Sequence, residues 1–352
     1  MNEAPAELLL GRPEFAGDLN GCAEEVVRRK RVLVTGAAGS IGWRLAQVLL
    51  GAQPRRLVLL DHHEHSLFSL ERTLGSAEPL AYELADIRDT PRLQSVFDWH
   101  QPEVVVHLAA AKHVPYGQRF PEGAVATNVL ATRDLLQMAE RAGTEVFVYP
   151  SSDKSVEPPS VYGASKRLAE ALVQAAASER RWSVVRYVNI IGTRGSVIET
   201  FSQQVLADQP LSVTDERMTR YWITMREAMW CALIAARCAQ AGEIVMPECG
   251  EPVPVLETAR RLAGWYRPER VPYPIECTGI RPGERLHEVL ISSNESFAAE
   301  SAAPGVRGVR TTRPASQVSR IGQVVEELAR LVESGDRDTL ARTSLAAAEA
   351  LQ

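Results

Sequence analysis

Lysine is almost missing from this chain: of 39 lysine and arginine residues, only Lys30, Lys112, Lys154 and Lys166 are lysines. The two cations are not equivalent, because a guanidinium stays protonated while an ammonium can be pushed toward neutrality and exchange protons. Positions that keep lysine against such a bias are candidates for chemistry. Lys154 and Lys166 share one short stretch, SSDKSVEPPSVYGASKR. Cysteine is sparse too. Cys22, Cys231, Cys238, Cys249 and Cys277 are odd in number and lack CxxC spacing, so neither a disulfide framework nor a zinc site is suggested, and they read as reduced, mostly buried thiols. No apolar run approaches membrane-spanning length, and the first residues, MNEAPAELLLGRPEF, carry acids where a secretory signal carries positive charge. A soluble cytoplasmic protein is expected. Dense basic charge is also absent: the net charge is −5 with no Lys/Arg block, which leaves no electrostatic footprint for nucleic acid or an anionic membrane.

What the chain does have is apolar mass, 45% of 352 residues, enough for one large core or two joined ones. Short β-rich runs at 31–36, 56–61, 80–86, 103–110, 145–152 and 182–190 alternate with amphipathic segments at 41–50, 65–74, 121–142 and 159–180. That alternation implies βαβ units and an α/β fold: a doubly wound parallel (Rossmann) sheet covered on both faces. After residue 190 the pieces shorten and gain Pro and Gly, as suits a smaller, loop-rich C-terminal substrate lobe at the carboxyl edge of the sheet. The expected organisation is an N-terminal extension (1–29), a dinucleotide domain (30–190), a substrate lobe (191–295, with 222–250 returning to the first domain), then a connector and C-terminal helices (296–352). Within the last part, 298–316 is low in large apolar residues and reads as an exposed connector, followed by helical patterns at 319–334 and 337–350.

The first strand runs into TGAAGSIG, with Gly36, Gly39 and Gly42, then into a helix. Glycines there permit a tight turn and let backbone N–H groups approach a pyrophosphate at the helix N-terminus. The second strand ends at Asp61, nineteen residues after Gly42, where an acid accepts hydrogen bonds from a ribose diol and repels a 2′-phosphate, favouring NAD over NADP. A helix N-cap is the plainer role for Asp61. Asp86, at the end of the third strand, reads either as a contact for adenine or as an exposed acid at a strand end. Tyr162 and Lys166 stand at i, i+4 on one helix face, where an ammonium lowers a phenol's pKa and makes it a usable base. Just upstream, Ser151, Ser152, Asp153 and Lys154 end a central strand and point into the crevice where such folds bind substrate.

With these residues placed, the chain resembles the extended short-chain dehydrogenase/reductases. More narrowly it resembles the nucleotide-sugar 4,6-dehydratases of the polysaccharide-biosynthesis group, typified by UDP-N-acetylglucosamine 4,6-dehydratases. The resemblance covers roughly 7–295 and rests on VLVTGAAGSIG, LLDHHEHSLFSLE, HLAAAKHVP, ATNVLAT, SSDKSVEP, VYGASKRLAE, NIIGTRGSV, PLSVTD, MTRYWIT, GEPV and TGIRPGERLHEVL. It implies a UDP-sugar substrate, UDP-N-acetylglucosamine first, converted to a 4-keto-6-deoxy sugar with or without C5 inversion, and a homo-oligomer, dimer or higher. Ser152 and Tyr162 would hold the sugar O4, Lys154 would remove the C5 proton, and Asp153 would protonate the departing C6 hydroxyl. Gly36, Ala38, Gly39, Ser40, Ile41, Gly42, Asp61, Asp86, Ile87, Ala109, Ala110, Tyr162 and Lys166 would contact the cofactor. Lys112 and His113 would face the sugar, Asn189, Arg194 and Ser196 the diphosphate, and Arg220, Arg281 and Glu284 the uridine end, with Thr214 also contacting the substrate. Where relatives have HVPLME this chain has HVPYGQ, which sets Tyr116, Gly117 and Gln118 near the sugar.

A UDP-sugar 4-epimerase shares the fold, NAD, Tyr162 and Lys166, but has no use for a C5 base or C6 acid. A silent NAD-binding sensor has no use for any of the four reactive side chains. The Asp153–Lys154 pair separates these readings: replacing either residue is expected to abolish turnover, by about 10²-fold or more, while purified protein still carries its dinucleotide. Loss of the dinucleotide together with activity would count against this assignment.

Overall fold

Strands built from valine and leucine on both faces are stable only when both faces are covered. RVLVT, VVVH and VFVYPSS, at Arg31–Thr35 (β1), Val104–His107 (β4) and Val146–Ser152 (β5), are buried almost without a break. They centre a nine-stranded sheet in the computed structural model, which describes residues 4–311 and 320–352. The other strands are Arg56–Asp61 (β2), Leu80–Leu84 (β3), Arg181–Tyr187 (β6), Ile244–Pro247 (β7), Glu295–Ala303 (β8) and Val306–Thr311 (β9), in the order β8-β9-β7-β6-β5-β4-β1-β2-β3. From β3 to β7 all pairs are parallel; β9 and β8 are antiparallel additions. Strand order reverses between β1 and β4, so a crevice opens above their carboxyl ends.

The helices are Ala6–Leu10 (α1), Leu19–Val27 (α2), Ser40–Gly51 (α3), Glu64–Leu74 (α4), Thr90–His100 (α5), Val114–Arg119 (α6), Pro121–Val125 (α7), Ala131–Arg141 (α8), Val161–Ala177 (α9), Val197–Leu206 (α10), Met225–Cys238 (α11), Val255–Tyr266 (α12), Ile321–Ser334 (α13) and Arg337–Glu349 (α14). One face of the sheet packs a core that includes α5, α8, α9, α13 and α14; the other packs α2, α3 and α11. A separate cluster of α1, α10 and α12, around Leu9, Phe201 and Leu262, forms the core of the smaller lobe. The segment read from sequence as one helix over 121–142 is broken: Ala126–Leu130 is a π turn between α7 and α8. The connector expected at 298–316 is replaced over its described part by the β8–β9 hairpin, which extends the main sheet; 312–316 lies outside the described residues. An edge hairpin of Ala, Ser, Gly and Val satisfies its backbone by pairing and needs little apolar bulk, so its composition resembles a loop.

Four charged side chains, Arg167 and Glu170 from α9, Arg186 from β6 and Glu295 from β8, are buried together with no exposure. Arg186 bridges Glu170 and Glu295 at 2.9 and 2.8 Å, and Arg167 meets the same two acids at 3.1 and 2.8 Å. Burial by itself would raise both carboxyls, but Arg186 and Arg167 outweigh it and hold them below the ordinary range. Their contribution to stability is therefore complete above the ordinary carboxyl value of 4.5 and is lost as pH falls toward the folded values. Glu170→Gln leaves a buried arginine undercompensated and is expected to cost about 3–5 kcal/mol. Urea unfolding followed by tryptophan fluorescence would show it, along with an acid limit moved to higher pH; an unchanged midpoint would remove the ring from the account of stability.

Candidate active site

The crevice is a cavity of about 1100 Å³, large for a single small ligand and lined from both lobes. Every residue assigned from the sequence to cofactor or substrate borders it except Asp153 and Gln118, and Lys30 lies elsewhere, paired with Glu145. At one end Gly36 has φ +67°, and a Cβ there would lie 2.6 Å from the Ala109 nitrogen; a Cβ on Gly42 would lie 2.4 Å from the Gly36 carbonyl oxygen. Bare backbone is thus packed against bare backbone. Helix α3 starts from Gly39 with no side-chain cap, leaving first-turn N–H groups for an anion. Asp61 is not the cap of α4, a role taken by His63; its carboxylate accepts from Ala38 N at 3.0 Å and His63 N at 2.9 Å. Asp86 pairs with Arg88 at 2.5 Å, and that bond lowers its pKa. Together with Ser40, Ile41, Ile87 and Ala110 on the wall, these residues form a cradle that fits a dinucleotide.

The reactive stretch occupies the turn after β5 and the start of α9. Ser160 caps α9 through Gly163 N. A Cβ on Gly163 would lie 2.1 Å from the Lys154 carbonyl oxygen, so glycine is what lets this helix press onto the turn beside Tyr162. Burial raises the Tyr162 phenol above its ordinary value, and Lys154 and a hydrogen bond with Ser152 offset part of that rise. Lys154 is a cation acting on the phenol that the sequence, which pointed to Lys166, did not indicate. Burial lowers Lys166 to about 7, with Nζ donating to the Pro150 carbonyl at 2.9 Å and lying 4.7 Å over the Tyr149 ring.

Lys154 differs from the expectation of an easily neutralised amine. Its Nζ lies 3.0 Å from Asp153 Oδ1 and 3.2 Å from Glu288 Oε1. Burial would lower its pKa, but the two carboxylates outweigh burial and raise it. Asp153 is enclosed, with a side chain of zero exposure; Oδ1 also accepts from Ser152 Oγ at 2.9 Å, and Oδ2 is buried without a partner.

On the other wall, Lys112 Nζ donates to the Arg194 carbonyl at 2.6 Å, and burial lowers it; burial also lowers His113. The Arg194 guanidinium donates to the Ala38 carbonyl and its backbone N–H to Ser40 Oγ, both at 3.0 Å, so the small lobe docks on the glycine loop. Ser196 caps α10. Asn189 donates to the Tyr221 carbonyl, with Oδ1 3.5 Å from Lys154 Nζ. Arg220, expected at the uridine end, is occupied: it donates to the carbonyls of Thr219, Leu286 and Arg285, with Nε 3.5 Å from Glu288. Thr214, Arg281 and Glu284 line the rim. Tyr116 is 67% exposed at the cavity mouth, whereas Gln118 turns away to accept from Val161 N at the head of α9. Sequence reasoning missed Glu288 and Asn128, although both lie in quoted blocks. Asn128, in the π turn, exchanges two hydrogen bonds with Ala111 and donates to Ser165 Oγ, tying the loop after β4 to α9.

Gly163→Ala is expected to separate Tyr162 from Lys154 while leaving the glycine cradle alone. With overpacking costs of about 1–3 kcal/mol, turnover should fall roughly tenfold or more with dinucleotide retention unchanged; undiminished turnover would sink this packing argument.

The family described as polysaccharide biosynthesis protein matches residues 32–307. The protein EpsC of Bacillus subtilis, a probable polysaccharide biosynthesis protein, is 38% identical over 308 residues, covering 85% of this chain and 51% of that protein. The chain thus spans about half the length of that relative. An inverting UDP-N-acetylglucosamine 4,6-dehydratase of Campylobacter jejuni is 31% identical over 274 residues, 76% of this chain and 79% of that one. Among solved structures, Pen from Bacillus thuringiensis superposes with a TM-score of 0.75 at 26% identity, covering 82% of this chain and 90% of that chain. Among the described residues, no helix is long and apolar enough to cross a membrane.

Proposed function

We propose, from the premise that this chain belongs to the polysaccharide biosynthesis protein family, that it is an NAD-dependent nucleotide-sugar 4,6-dehydratase acting on a UDP-sugar. UDP-N-acetylglucosamine is the first candidate substrate. The observation that carries the reading is the Asp153–Lys154–Glu288 charge cluster acting on Tyr162 at the cavity wall. A C4 epimerase needs a proton acceptor at O4 and a hydride carrier, and nothing more. Acids and an ammonium beside the acceptor suit a second reaction at the neighbouring carbons.

Gly36, Gly39 and Gly42 would admit the pyrophosphate, Asp61 would face the adenosine ribose, and Lys166 would stand near the nicotinamide ribose. Bound there, the dinucleotide supplies the acceptance of hydride from C4 and its return to C6. Tyr162 takes the C4 hydroxyl proton, with Ser152 as its hydrogen-bond partner and Lys154 favouring the phenolate. A C4 ketone makes the C5 hydrogen acidic, and the charged cluster then serves the loss of water across C5 and C6. Lys112, His113 and Tyr116 border the sugar side, while Arg281 and Glu284 border the mouth.

Purified protein incubated with a panel of UDP- and dTDP-sugars in D₂O, with products read by mass and NMR, tests this. Loss of one water with deuterium at C5 is the expected result. Unchanged mass with altered C4 configuration would make the protein an epimerase, and no turnover despite bound dinucleotide would make it a binding module.

A further inference from the structure

The chain ahead of the sheet touches both cores. Leu9 and Leu10 are buried in the small-lobe core with Phe201 and Leu262, while Ala16 and Leu19 pack on the core that carries α2, α3 and α11. Arg12 lies between these anchors, and every N–H of its guanidinium is used. Nε donates to the Cys249 carbonyl at 3.1 Å, and Nη1 to the Pro13 carbonyl at 2.8 Å and to Glu227 Oε1 at 2.6 Å. Nη2 donates to the Trp222 carbonyl and to Glu227 Oε2, both at 3.2 Å. We propose that Arg12 is a positioning residue for the substrate wall of the cavity, acting through Trp222 and Asn189. The proposal rests on the reading of that cavity as a UDP-sugar site and adds to it a residue from the N-terminal segment.

Glu227 anchors the contact. Its side chain is 2% exposed, and both oxygens are doubly engaged: Oε1 also accepts from Phe15 N and Oε2 from Thr224 N, each at 2.8 Å. The second of these bonds belongs to the capping box that starts α11. Trp222, whose carbonyl Arg12 holds, pairs in parallel with Asn189, as Ile223 does with Ile190. Asn189 donates twice to the Tyr221 carbonyl, from N at 3.2 Å and Nδ2 at 3.1 Å. Its Oδ1 lies 3.5 Å from Lys154 Nζ. The line from Arg12 to the reactive turn therefore crosses one pair of short strands and one side chain.

Glycine makes the room for this arrangement. Gly250 has φ +68°, and a Cβ there would lie 2.9 Å from Arg12 Cδ. A buried polar network whose every member is satisfied is rigid, so the Trp222 and Cys249 carbonyls are fixed relative to the N-terminal segment. Lysine in place of Arg12 keeps a positive charge for Glu227, but its three donors radiate from one atom and cannot span Glu227, Trp222 and Cys249 together. The Trp222 carbonyl is then released, and with it the wall that carries Asn189.

Steady-state kinetics of Arg12→Lys, with whichever panel UDP-sugar the natural protein converts, test the proposal. KM for the sugar should rise about tenfold, with a smaller change in kcat and the dinucleotide retained. A merely structural Arg12 would lower the melting temperature and the active fraction, hence kcat, and leave KM at its natural value; that outcome overturns the proposal. If Arg12→Lys does not fold, the decision passes to Arg12→Met combined with Glu227→Gln, which removes the ion pair without leaving a buried charge. The same rise in KM is expected there, and an unmoved KM overturns the proposal equally. Conversion by the natural protein with KM unmoved in the variant sinks this proposal alone. A natural protein that converts no panel sugar sinks the UDP-sugar reading and this proposal with it.

Discussion

The closed ring of Arg167, Glu170, Arg186 and Glu295 is the constraint on which most else in this molecule hangs. Charges so deeply buried are tolerated only when each is paired and its remaining hydrogen-bonding groups are met. The surroundings do much of that here. Ser155 Oγ donates to Glu170 at 2.7 Å, Arg186 to the Leu290 carbonyl at 3.0 Å, and Arg167 to the Leu351 carbonyl at 2.8 Å. These contacts join β6, α9, the reactive turn, the segment carrying Glu288 and the end of the chain. The ring is therefore both a core element and the frame that sets Lys154 against Glu288.

A second constraint is the close approach of backbones. The carboxyl edge of a parallel sheet is crowded where three loops converge, and the crowding is relieved by leaving out side chains. Gly36 and Gly42 do this where the glycine loop meets Ala109 and its own carbonyls, and Gly163 does it where α9 meets the Lys154 turn. Both the glycine loop and the cluster around Lys154 take their shape from backbone packed without Cβ atoms between. Arg194, reaching from the small lobe to Ala38 and Ser40, closes the cavity over that junction.

The legible parts of the fold were those whose signal is local. Valine-rich strands, the glycine loop and the Tyr162–Lys166 spacing each announce themselves within about ten residues, and the sheet and one cavity wall follow from them. Three features were hidden because they depend on partners far along the chain. The β8–β9 hairpin has few large apolar residues beyond Phe297, because its pairing with β7 supplies what apolar mass would otherwise have to. The π turn at Ala126–Leu130 exists to aim Asn128 at Ala111 and Ser165, and its amphipathic pattern is that of an ordinary helix. Glu288 lies 134 positions from Lys154, and no spacing rule connects them.

The scarcity of lysine takes on a different meaning at each position. Lys166 is held by one carbonyl and one aromatic face in a slot where burial lowers it to about 7, and a guanidinium would bring five donors to a place with partners for few of them. Lys154 has charge partners enough for an arginine, since Asp153 and Glu288 both face it. What an arginine there would lack is the ability to release a proton and take it back, because guanidinium does not deprotonate in proteins. An ammonium held charged by two carboxylates combines a stable resting state with a proton that can move, a combination that the proposed elimination at C5 and C6 would use.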